Sequence, residues 1–164
     1  MDNITVVVAQ YAIYVVAALA VVTWLLAPRR DKINLAIEAI LALVLVAVLV
    51  KVAGAIHSDP RPFVQNPALT PLFPHSADNG FPSDHTALAA TIAAVVMQYR
   101  RTIGAVMAVL AFAIGFARVA AHVHHTQDIV AGLIVGYLAA LLALILWRQV
   151  VKPRLTGRLR ELTD

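Results

Sequence analysis

Five apolar stretches, parted by short polar loops, dominate the chain: residues 4–27, 33–56, 82–99, 103–121 and 129–147. Each approaches the ~20 residues an α-helix needs to cross the hydrocarbon core of a bilayer. The third is the weakest by length, because only residues 86–97 run without a strongly polar side chain. This pattern predicts an all-α integral membrane bundle of about five transmembrane helices, in a single domain over 1–164. The loop 57–81 has room for a short helix. The first stretch lacks a basic leader and is long for a cleavable signal, so it is expected to remain as a span. Gly132 and Gly136 form a G-x-x-x-G on the last stretch, expected to serve as a helix-packing face.

Composition narrows the class. Hydrophobic residues make up 61% of the chain and charged residues 13%, against about 25% charged in soluble domains. Without cysteine there is no disulfide framework and no thiolate metal site. The formal net charge of +4 does not point to nucleic acid, because the basic residues flank apolar runs instead of forming a soluble basic face. Arg29, Arg30 and Lys32 follow the first stretch, Arg100 and Arg101 the third, and Arg148, Lys152, Arg154, Arg158 and Arg160 the fifth. If five helices alternate, these ten of the thirteen Lys and Arg residues share one side. The positive-inside rule then predicts a plasma-membrane protein with its N-terminus outside and its C-terminus in the cytoplasm. Lys51, Arg61 and Arg118, the loop 57–81 and the turn 122–128 fall on the outer face.

That face carries the candidate chemistry. His124 and Asp128 are four residues apart, so an early helix start would put them one turn apart on one face. A carboxylate on one imidazole nitrogen fixes the tautomer and makes the other nitrogen a better nucleophile. Arg118 offers a planar fork for phosphate oxygens, and Arg61, in Asp-Pro-Arg-Pro, a second. Ser83 suits an N-cap, and the free N–H groups of the helix it would open form an anion site. His85 on that turn is placed to protonate a leaving oxygen. Blander readings stand beside these: a helix-end histidine that is merely solvated, Asp-Pro-Arg-Pro as a helix terminator, Ser83 as a cap only. A metal site on His122, His124 and His125 lacks a second carboxylate or thiolate to complete it. The loop 64–80, with Phe73 and several prolines, either shapes headgroup access or is plain surface. Ionisable residues at membrane depth are costly and mark function.

These residues resemble a known family. Arg118, five residues, His124, three residues and Asp128 resemble the third signature of the type 2 phosphatidic acid phosphatase superfamily. Phe-Pro-Ser-Asp-His at 81–85 resembles its second signature, and Arg61-Pro62 the end of its first. The resemblance covers about 51–132 and implies a fold of six helices and phosphatase chemistry without a metal or other cofactor. It makes His124 the nucleophile that forms a phosphohistidine, Asp128 its orienting partner and His85 the general acid. Arg61, Ser83, Asp84, Arg118 and Lys51 become the phosphate-binding set. Three positions depart from the pattern. Gly54 stands where the first signature has lysine, leaving Lys51 one turn earlier or His57 as substitutes. Ala117 replaces a serine. Asp84 replaces a glycine, as in bacterial undecaprenyl-diphosphate phosphatases of the bacitracin-resistance type. The resemblance therefore implies a membrane phosphatase acting on a polyprenyl diphosphate, with phosphatidylglycerophosphate or phosphatidic acid as the alternative lipid partner. A non-enzymatic membrane protein, such as a transporter subunit, is the alternative from another class.

Overall fold

Helices run wherever apolar residues continue unbroken, and prolines or tight polar turns end them. In the computed structural model, which describes residues 2–154, α1 (Asp2–Leu26) stops at Pro28, and α2 (Arg29–Ile56) begins immediately after it. Trp24 Nε1 donates to the Lys32 carbonyl at 3.1 Å, and Lys32 Nζ lies 5.6 Å from the Trp24 ring, which closes that turn. The loop after α2 contains the short helix α3 (Pro62–Gln65), as the sequence allowed. Then come α4 (Asp84–Tyr99), α5 (Arg101–Ala120) and α6 (Thr126–Leu146), continued by a π-helical turn over Trp147–Val151. Arg158 and Arg160, part of the charge argument for orientation, lie outside the described residues.

Among the described residues, four helices are by length and composition sufficient to cross a membrane: Asp2–Leu26, Asp31–Ile56, Arg101–Ala120 and Thr126–Arg154. The exception is α4, whose 16 residues span only about 24 Å against a hydrocarbon core of about 30 Å. Its first turn is taken up by the candidate site, so the element begins inside the bundle. It is also the helix the others surround, packing most extensively on α5 and α6 and then on α2 and α1. The residues it buries are small or β-branched (Thr86, Ala87, Ala89, Thr91, Ala93, Val95, Val96), which brings the neighbouring backbones close. Large apolar side chains such as Tyr14, Leu26, Val109, Phe116 and Ile134 point outward, as lipid-facing surfaces require.

The G-x-x-x-G of the last stretch is spent inside this packing. A Cβ at Gly136 would lie 2.3 Å from the Ala87 carbonyl oxygen, and one at Gly132 2.8 Å from the Ser83 carbonyl oxygen. Only glycine lets α6 lie this close to α4. Thr91 Oγ1 bridges the same seam, 2.8 Å from the Ala87 carbonyl and 3.1 Å from that of Gly136.

Gly136→Val therefore drives a side chain into backbone. It is expected to lower the stability of the detergent-solubilised protein by at least the ~1–3 kcal/mol of an overpacked core, read as a drop in thermal midpoint. An unchanged midpoint would contradict this helix contact.

Candidate active site

The turn between α5 and α6 sets the site. Val123 N–H donates to the Arg118 carbonyl at 3.2 Å and His122 N–H to that of Val119 at 2.9 Å, with His122 at φ 59°. That is a Schellman cap, with histidine in the left-handed position that glycine usually fills. Reversing the chain here puts Arg118, at the end of α5, and His124, just before α6, side by side. α6 starts at Thr126, so His124 and Asp128 are not on one helical face as expected. Instead Asp128, in the first turn, folds back over the helix start. Its Oδ2 accepts from the His125 backbone N–H at 2.8 Å and lies 3.2 Å from His124 Nδ1. Both residues are buried, Asp128 completely.

The tautomer follows from the partners. Ionised Asp128 only accepts, so the neutral His124 ring carries its proton on Nδ1 and leaves a lone pair on Nε2. Arg61 Nη1 donates towards that lone pair at 3.2 Å and to the Val123 carbonyl at 2.7 Å. The rest of the Arg61 fork, Nε and Nη2, is held by Asp78 Oδ1 at 2.9 and 2.8 Å. Burial alone would raise the Asp78 carboxyl, but hydrogen bonds from Arg61 and Ser76 and the Arg61 charge hold it below the usual carboxylate range. His124 is held below the ordinary imidazole value, first by burial and then by the charges of Arg118 and Arg61, against the opposing hydrogen bond to Asp128.

Ser83, fully buried, occupies the N-cap position of α4 but does not cap it with its side chain. Its Oγ lies 3.1 Å from Thr86 Oγ1, while its backbone N–H donates to the Asp128 carbonyl at 3.1 Å. The first-turn N–H groups are thereby left to another acceptor. His85 follows on that turn, half-buried and within electrostatic reach of Arg61, Arg118 and His124. Asp84 is exposed at the first position of α4 and within electrostatic reach of Arg118.

Lys51 is not joined to this group. It is exposed on α2 and makes no hydrogen bond or ion pair among the described residues. His57 is also exposed and packs edge-on against Phe81, ring centroids 4.6 Å apart. Gly54, where the motif lysine would stand, has the loop pressed on it: a Cβ would be 3.0 Å from the Phe81 carbonyl oxygen. Asn79 fixes that loop, donating to the Gly54 and His57 carbonyls and accepting from the N–H groups of Asp59 and Phe81.

The loop 64–80 is more than surface. Phe73 is buried against Ala117, Ala121 and Val123, and Leu72 N–H donates to the Ala121 carbonyl at 3.2 Å. This anchoring brings in His75, which the sequence did not single out. Its Nε2 lies 2.8 Å from Arg118 Nη2, and its ring meets that of His124 edge-to-face with centroids 6.2 Å apart. Burial, then the charges of Arg61 and Arg118, push His75 down to about 4. A histidine among prolines in a long loop carries no local signal for such a contact.

The three histidines of the turn point to different partners: His122 to the Thr70 carbonyl, His124 to Asp128, and His125 to Asp59, 2.9 Å away. They do not converge. A different trio does, since Asp59, His125 and Asp128 bring one possible metal-ligand atom each within 4.8 Å of one another. Asp59 is already occupied there by Gln65 and Gln127, the latter at 2.6 Å.

A buried histidine–aspartate pair between two arginines, at the end of a membrane helix bundle, defines an anion-handling membrane protein. The chain belongs to the PAP2 superfamily, which residues 35–152 match. It is 37% identical over 133 residues to the bacitracin transport permease protein BcrC of Bacillus licheniformis, covering 81% of this chain and 65% of that one. It thus spans just under two thirds of that relative. It is 31% identical to the undecaprenyl-diphosphatase BcrC of Bacillus subtilis (strain 168), over 87% of this chain and 72% of that one. Among solved structures, Aquifex aeolicus LpxE superposes with a TM-score of 0.72 at 30% identity, covering 87% of this chain and 84% of that one.

In the ¹⁵N spectrum of the detergent-solubilised protein at pH 7, His124 is expected to be neutral and protonated on Nδ1, becoming charged only below its ordinary value of 6.5. A cationic ring at pH 7, or an Nε2–H tautomer, would contradict the geometry.

Proposed function

We propose that the protein is a lipid phosphatase that removes the terminal phosphate of a polyprenyl diphosphate through a phosphohistidine intermediate. The observation that carries this is His124: Nδ1 anchored on buried Asp128, Nε2 turned to Arg61, with Arg118 close by. The name of the Bacillus subtilis relative, undecaprenyl-diphosphatase, supports the substrate class. The other BcrC is described as a transport permease, but the interior here favours an enzyme. Below the site the bundle is filled by residues such as Val16, Ala93, Val96, Met107, Ala111 and Ile114, a packed core instead of a polar path.

The steps follow from the donors. His124 Nε2 attacks the terminal phosphorus; the P–N bond forms as the bond to the bridging oxygen breaks. Arg61 and Arg118 take the phosphoryl oxygens, whose growing charge they offset, and the first-turn N–H groups of α4 face the same region. His85 gives its proton to the departing monophosphate, a proton that the negative charge of a bound phosphate favours. Water, losing a proton to His85, then attacks phosphorus, the P–N bond breaks, and Nε2 recovers its lone pair with release of inorganic phosphate.

The site and the basic clusters lie at opposite ends of the helices. Arg29, Lys32, Arg100, Arg101 and Arg148 fall away from His124, which supports a cytoplasmic placement for them and an outward-facing site.

Phosphate release measured over a panel of polyprenyl diphosphates, phosphatidylglycerophosphate and phosphatidic acid is expected to be fastest with the diphosphates. His124→Ala is expected to lower it by more than about 1,000-fold and to abolish trapping of a phosphorylated protein. Retained turnover in that variant would remove His124 from the nucleophile's role. EDTA is expected to leave activity intact; loss restored by zinc would instead give the Asp59, His125 and Asp128 cluster a metal.

A further inference from the structure

Two buried N–H donors meet no acceptor at the centre of the site. Arg118 uses Nη1 on the Ala9 carbonyl at 3.2 Å and Nη2 on His75 Nε2 at 2.8 Å, and its Nε has no partner. A guanidinium only donates, so His75 Nε2 is the acceptor. The remaining ring proton of neutral His75 is then on Nδ1; the Ser76 backbone favours a proton on the ring, but Nδ1 is buried and makes no hydrogen bond of good geometry. A buried donor left unpaired costs about 1–3 kcal/mol, so two of them on touching residues call for an acceptor. Of the nearby carboxylates, Asp78 is paired with Arg61, Asp128 turns one oxygen to His124 and leaves the other buried without a partner, and Asp84 is exposed at the start of α4. What fits between two guanidiniums and unpaired N–H groups is an anion with several oxygens.

We infer that His75 binds substrate: its Nδ1–H donates to an oxygen of the phosphoryl group that His124 attacks, while its Nε2 steadies Arg118. The edge-to-face contact with His124, ring centroids 6.2 Å apart, puts His75 on the same side of the site as the attacking ring. Phe73 and the Leu72 N–H bond fix the loop on α5, so His75 is in place before substrate arrives. In the free protein at neutral pH the ring is uncharged, held down to about 4 by burial and then by the charges of Arg61 and Arg118. It therefore orients oxygens without adding a third positive charge. The inference rests on the phosphatase reading, and it extends the site to a residue from a loop outside the signature motifs.

Two amide substitutions separate the roles of the two nitrogens. In His75→Asn the side-chain amide stands near the position of Nδ1, and in His75→Gln its oxygen reaches towards the position of Nε2. Inorganic phosphate affinity by calorimetry, and kcat and KM with farnesyl diphosphate, are measured for both and for His75→Ala in detergent. His75→Ala and His75→Gln are expected to lose about 10–100-fold in phosphate affinity and kcat/KM, the worth of one hydrogen bond to a charged group. His75→Asn is expected to stay within about threefold of wild type, a few tenths of a kcal/mol. The reverse ranking would make His75 only a prop for Arg118, and three unaltered variants would give it no role; either overturns the inference. In the wild-type protein, saturating phosphate is expected to shift the His75 Nδ1 resonance, and an unmoved signal overturns it without any substitution. A wild-type protein that neither binds phosphate nor releases it sinks the phosphatase reading and this inference together. Normal turnover with indifferent His75 variants sinks this one alone.

Discussion

The Asp128 carboxylate, buried in the first turn of α6, is the constraint on which the site depends. One oxygen serves two donors, the His125 N–H that opens the helix and the imidazole of His124. The backbone carbonyl of the same residue receives the Ser83 N–H at the start of α4. A single residue thus caps α6, sets the tautomer of His124 and registers the two helix N-termini that face the site. The two donors on Oδ2 offset part of the lost hydration, Oδ1 being buried without a partner, and removing a partner from a buried pair costs about 3–5 kcal/mol. The geometry of His124 is therefore tied to the fold itself.

That registration requires close backbones, which explains the run of small residues on α4 and the two glycines on α6. With any side chain at Gly132, the Ser83 carbonyl and the Thr86 side chain would be displaced, and the bond from Ser83 to Asp128 with them. Packing and chemistry are one requirement here. The G-x-x-x-G that suggested a helix contact in the sequence turns out to position the N-terminus of α4 against Asp128.

What the sequence disclosed follows how far along the chain each interaction reaches. His124 with Asp128, Arg118 six residues earlier, and the Ser83–His85 segment are local patterns, so their grouping was legible. The short helix in the loop was also anticipated, and the family resemblance holds. The helical period could not reveal that α6 starts after His124, because Asp128 reaches back as a cap and not along a face. Nor could hydropathy show that α4 is the central helix of the bundle, whose apolar content reflects burial among four other helices more than contact with lipid. His75, Asp78 and Asn79 act across 43, 17 and 25 residues, and nothing local to the loop marks them. The displaced lysine is intelligible only in three dimensions: the loop that Asn79 ties down lies against Gly54, where a lysine stem would have to pass.

Arg118 shows most clearly how charge is arranged for the chemistry. Its hydrogen-bond partners are neutral, a helix carbonyl and the acceptor nitrogen of His75, and it makes no ion pair among the described residues. Arg61 differs, because exposed Asp78 offsets its charge. A buried cation without a counter-ion is costly in the free protein. That cost acts on the neighbours, since each imidazole near the guanidiniums is more easily kept as the free base. Burial, and then these charges, keep the His124 ring as the free base, and the positive potential is retained for an anion. A fixed field of this kind needs no reorganisation when charge develops at phosphorus. In this site the same two arginines that would hold a phosphate add to burial in keeping His124 unprotonated.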